Sequence, residues 1–106
     1  MPLLIQVEDF EGKVIAEYND KQGLLNSVLD YCYQNSSKIN VFKYVDLYDD
    51  TTFNSLQVKD LIFDIIFLKQ QLLFADYERM KTLDFIIELC KETLKEPHQF
   101  LKFYGD

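Results

Sequence analysis

Tryptophan is absent, arginine occurs once (Arg79), histidine once (His98), and the 106 residues include only three glycines and two prolines. So little Gly and Pro excludes collagen-like and low-complexity chains. A lone histidine directly after Pro97 cannot make an HExxH metal pair, and no GxSxG elbow, Walker-type glycine loop or GxGxxG occurs. With a single arginine, any anchoring of phosphate falls to lysine, which makes poorer bidentate contacts. Eleven basic residues against eighteen acidic ones leave a net charge of −7, the wrong sign for gripping a nucleic-acid backbone. No apolar run approaches the ~20 residues of a membrane-spanning helix. The opening Met-Pro-Leu-Leu-Ile-Gln-Val lacks a basic segment, so the expectation is a cytoplasmic protein without a signal peptide. Cys32 and Cys90 lie in apolar helical patterns without CxxC or Cys/His spacing and read as buried free thiols in a reducing compartment.

What is present suits one folded domain over residues 1–106, because a hydrophobic content of 48% can build a core without metal or disulfide staples. Leu3–Glu8 and Val14–Tyr18 are β-rich runs joined by Asp9-Phe10-Glu11-Gly12-Lys13, a hairpin with Gly where a positive φ is wanted. Leu3, Ile5 and Val7 share one face by period two. Asn19-Asp20 offers an N-cap for a helix to about Tyr33, with Leu24, Leu25, Val28, Leu29 and Cys32 at helical spacing. Alternation over Ile39–Val45 predicts a central strand, and Thr51–Phe53 a short returning one. Gln57 to about Phe74 and Ala75–Lys95 predict two helices, the second stopped by Pro97, and Phe100–Tyr104 a last strand. The order β-β-α-β-β-α-α-β predicts an α+β fold, a single-layer mixed or antiparallel sheet packed against helices.

Two features point outward. The predicted helix 57–74 confines its polar residues to a stripe of Asp60, Asp64 and Gln71, leaving apolar residues around most of its circumference. Packing between sheet and neighbouring helix hides the rows Leu61/Ile65/Leu68/Leu72 and Ile62/Ile66/Leu73. The row Phe63/Phe67/Phe74, beside the polar stripe, then lies at the edge, either closing the core or meeting another chain. The second feature is Asp46-Leu47-Tyr48-Asp49-Asp50, a turn-rich acidic loop. It lacks the alternating ligands, bend glycine and closing glutamate of a calcium loop. Its carboxylates around Tyr48 suit the Lys and Arg side chains of a protein partner better. Glu11-Gly12-Lys13 has the Glu-x-Lys spacing of nuclease cores but sits in a hairpin turn, and His98 reads as a local hydrogen-bonding residue.

Tyr44-Val-Asp-Leu-Tyr-Asp-Asp-Thr-Thr-Phe-Asn54, with the close Leu101-Lys-Phe-Tyr-Gly-Asp106, resembles a group of short bacterial proteins of unassigned function. Their similar segment runs aromatic, Asp, Pro, Tyr, Gly, Asp, Thr, then Phe-Asn; here Leu47 replaces the common Pro and Asp49 the common Gly. The group implies no catalytic residues. In size and acidity the chain is also similar to immunity proteins, which protect bacteria from toxins. The expectation is therefore a non-enzymatic, cofactor-free, acidic protein-binding module that occludes a more basic toxin domain, with Asp46, Tyr48, Asp49 and Asp50 as contact residues and Phe63 and Phe67 as a second patch. The alternatives are a homo-oligomeric subunit joined through the phenylalanine row and an acidic mimic of nucleic acid.

Overall fold

Alternation in the first strand decides which side of the sheet is dry. Leu3, Ile5 and Val7 are fully buried, and facing them from the last strand are Leu101 and Phe103. The computed structural model describes residues 3–71 and 76–105. Strands β1 (Leu4–Glu8), β2 (Val14–Asn19), β3 (Asp50–Phe53) and β4 (Phe100–Tyr104) form one antiparallel sheet in the order β2-β1-β4-β3. Helices α1 (Leu25–Gln34), α2 (Ser55–Lys69) and α3 (Tyr77–Thr93) complete the α+β fold, α2 packing on α3 and α3 touching β1, β2 and β4.

Local chemistry sets the ends of these elements. Gly12, at φ 84°, turns the β1–β2 hairpin, whose backbone is gathered by Asp9 Oδ1 accepting from the N–H groups of Glu11 and Lys13, both at 2.9 Å. The buried Asp20 carboxylate accepts from Leu24 N (3.1 Å) and Leu25 N (2.9 Å), satisfying donors at the start of α1 from outside the helix. Asn54 opens α2 with a capping box: its side chain accepts from Gln57 N, and the Gln57 side chain accepts from Asn54 N. Asp76 caps α3 and pairs with Arg79, whose Nε donates to Ser27 Oγ at 2.8 Å and so ties α3 to α1. Beyond α3, the largely buried Gln99 donates to the terminal carbonyls of Glu92 and Thr93.

One element differs from the sequence expectation. Residues 39–45 are not a central strand; they hold a 3-10 turn over Phe42–Tyr44, after another over Ser36–Lys38. Ile39, Phe42 and Val45 are the buried residues of this stretch, a spacing of three that suits 3-10 geometry, while Tyr44 faces out. The Ile39/Val41/Lys43/Val45 alternation was a pattern without a sheet neighbour. β4 occupies the central place beside β1 instead. Helix α2 also ends at Lys69, earlier than its apolar pattern predicts; Leu72, Leu73 and Phe74 lie outside the described residues.

Candidate functional site

The face that carries the acidic loop is built around Asp64. This α2 side chain was expected on a wet polar stripe, yet it is 1% exposed. Oδ1 accepts from Asn40 N (2.8 Å) and Asn40 Nδ2 (3.0 Å), and Oδ2 from Val41 N (2.8 Å) and Phe42 N (3.0 Å). A carboxylate with both oxygens filled this way holds the irregular 40–42 backbone as a strand ladder would have done. Phe42 is thereby set into the core 6.0 Å from the Phe103 ring, and Tyr44 and the loop after it are presented on the surface.

That loop is braced at both ends. Asp46 Oδ1 accepts from Tyr48 N and Asp49 Oδ1 from Asp50 N, each at 2.8 Å, so both carboxylates are partly used in shaping their own turn. Gly105 N donates to Asp49 O at 3.1 Å. A Cβ on Gly105 would fall 2.5 Å from Asp49 O and 2.6 Å from both Asp46 O and Asp49 N. Tyr33, on α1, donates from its hydroxyl to Val45 O at 2.5 Å.

Together these contacts form an open concavity of about 540 Å³ whose walls include Tyr33, Tyr44 and Tyr48 with Asp30, Asp46 and Lys43. Burial pushes the Tyr33 hydroxyl above its ordinary value, and the negative charges of Asp46 and Asp30 add to the shift. Lys43 Nζ donates to Ser36 O at 2.8 Å and lies 5.4 Å from the centre of the Tyr44 ring.

Of the six residues singled out from sequence, Asp46 and Tyr48 line this concavity. Asp49 and Asp50 are exposed beside it, where Asp50 opens β3 opposite Tyr104. Phe63 and Phe67 do not line it. Phe63 is exposed on α2, whereas Phe67 is half-buried against the core. Ile66, expected in a hidden row, is partly exposed and lies with Phe63 and Leu56 on one helix face. Tyr33, Tyr44 and Asp30 escaped the sequence reading. The i, i+3 spacing of Asp30 and Tyr33 on α1 places them on a common helix side, but nothing local links that side to residues 44–48.

The loop carboxylates do not converge on a cation site: among the described residues no group of three His, Cys, Asp or Glu side chains could hold a metal ion. Cys32 and Cys90 are both buried, and burial pushes each thiol up to about 12. On the sheet face away from the helices, the nearly buried Glu8 accepts from the Tyr104 hydroxyl and pairs with Lys102 Nζ at 3.3 Å. The Glu8 hydrogen bond, foremost, raises Tyr104 from 10.0 to about 12, with burial and the charges of Glu8 and Asp50 contributing. Because the folded chain holds this proton more tightly, the stability it contributes is complete below the unfolded value and is lost as pH rises through the folded one. Urea midpoints taken on either side of pH 10 should therefore fall with rising pH, and the fall should be smaller in Tyr104→Phe.

Compared with family models, curated proteins and solved structures, the chain gives no match.

Proposed function

We propose that the chain is a binding module of the immunity type, which neutralises a more basic toxin domain by covering it. The observation that carries this reading is the braced concavity in which uncovered tyrosines and carboxylates stand together on a chain of net charge −7. Such a face needs no chemistry of its own: long-range attraction speeds encounter with a basic partner, and aromatic anchors slow release. The bonds from Asp64 to residues 40–42 and from Tyr33 to Val45 reduce the ordering that binding would otherwise require. The test is to identify the protein encoded in the adjacent open reading frame and, where it carries a toxin domain, to co-express the two. Restored growth and a complex that survives gel filtration are expected, and a toxin that stays fully active in the presence of excess chain overturns the reading.

A second reading has its own observation. Leu56 is 71% exposed and Phe63 64%, and with Ile66 they form an uncovered apolar stripe along α2. Self-association through that stripe would make the chain a homo-oligomeric subunit. Light scattering separates the two readings, since a dimer that persists below micromolar concentration favours the second.

A further inference from the structure

We propose that the tyrosine-lined concavity is an arginine cradle, which takes a guanidinium group from the basic partner; this rests on the reading of that face as protein-binding. Three rings stand partly uncovered there, Tyr33, Tyr44 and Tyr48 at 44%, 64% and 70% exposed. The π-face of a phenol attracts a cation, and a planar guanidinium also stacks on it. The acidic groups are placed to complete the contact. Asp46 spends Oδ1 on Tyr48 N, leaving Oδ2 for a donor, and Asp30 makes no ion pair among the described residues.

Both carboxylates lie close enough to Tyr33 for their charges to act on its hydroxyl. Lys43, the cation in the wall among the described residues, is engaged with Ser36 O and lies toward the Tyr44 ring, so the protein already seats a positive charge against this aromatic surface. At about 540 Å³ the concavity has the size of an ordinary ligand pocket, roughly 300–1,000 Å³. An anion would meet Asp30 and Asp46, which excludes phosphate groups and acidic peptides. Lysine fits less well than arginine, because an ammonium is a compact, strongly hydrated charge that neither stacks nor forks.

The probe is the blocked tripeptide acetyl-Gly-Arg-Gly-amide, titrated into the intact chain while tyrosine ring resonances are followed by NMR. Saturable shifts of Tyr33, Tyr44 and Tyr48 are expected, weaker with the lysine peptide and absent with the citrulline peptide, which keeps the shape and loses the charge. The double variant Asp30→Asn/Asp46→Asn, which keeps an acceptor oxygen for Tyr48 N, should weaken binding about tenfold or more, the scale of a lost charge-assisted hydrogen bond. Its circular dichroism should match the parent. Absence of saturable shifts with the arginine peptide, or equal shifts with citrulline, overturns the cradle. Toxin capture that survives alongside a silent arginine titration rejects the cradle and keeps the binding-module reading. Peptide binding with no protection from the toxin does the reverse.

Discussion

Replacing Asp64 with alanine is expected to lower unfolding stability by about 3–5 kcal/mol, since several buried or part-buried N–H donors lose their acceptor at roughly 1–3 kcal/mol each. Three backbone N–H groups and the Asn40 amide lose their acceptor together, and Phe42 N–H lies in the core, where water cannot replace it. Against a typical total of about 5–15 kcal/mol this is a large share of what holds a small domain folded. Asp64→Asn tests whether two acceptor oxygens are required. It preserves shape, but the amide can accept on one side only and turns its NH2 toward donors on the other, so a substantial part of the loss should remain. Urea denaturation of both variants gives the magnitude, and native-state hydrogen exchange gives its location. Protection should vanish first at Val41 and Phe42. A variant as stable as the parent would mean that the 40–42 backbone is held by something other than this carboxylate.

Gly105→Ala is expected to destabilise the chain by about 1–3 kcal/mol, the range for forcing extra atoms into a filled space. Its origin is close approach rather than left-handed backbone: the added carbon would overlap main-chain atoms of residues 46 and 49, which have no flexible end to swing away. Either the loop lifts or the Gly105 N–H to Asp49 carbonyl bond breaks. Thermal unfolding measures the loss, and the amide resonances of residues 46–50 show where it falls. Because Tyr48 and Asp46 belong to that loop, the proposed function predicts that the same variant also weakens partner binding while leaving the side chains proposed for the contact unchanged. Unchanged loop resonances would show that the close packing is relieved elsewhere.

Much of the fold was readable from short-range pattern. Period two in Leu3–Val7 identified the dry face of β1, Gly12 marked the hairpin, and the apolar spacing of α1 matched its buried Leu25, Val28, Leu29 and Cys32. The errors came from partners distant in the chain. Residues 39–45 alternate like a strand, but the carboxylate of Asp64, 24 residues beyond Asn40, holds a different backbone path. Asp64 reads as a solvent marker beside Asp60 because the donors that fill it lie elsewhere in the chain. Asn54 and Gln57 carry a legible sign, the capping-box spacing, at the point where β3 ends and α2 begins. In the candidate site Asp46 and Tyr48 were visible as an acid-rich turn around a ring. Tyr33 and Asp30 join them through tertiary placement of α1, which no local window contains. Similarly, the resemblance segments 44–54 and 101–106 are far apart in sequence, yet β3 pairs with β4 and Gly105 rests on the 46–49 turn.

The strand order has a bearing on how the molecule comes into being. β1 and β4 are neighbours in the middle of the sheet, with Glu8 opposite Phe100. Residues 9–99 form the loop between them, and its closure entropy must be met before the pairing returns anything. During synthesis, a nascent polypeptide whose Phe100–Tyr104 segment is still inside the ribosome has its hairpin and helices available but nothing to zip β1 to β3. Until β4 emerges, Ile5 and Val7 lack Phe103 and Leu101 across from them, and the half-made sheet is the species a chaperone would meet.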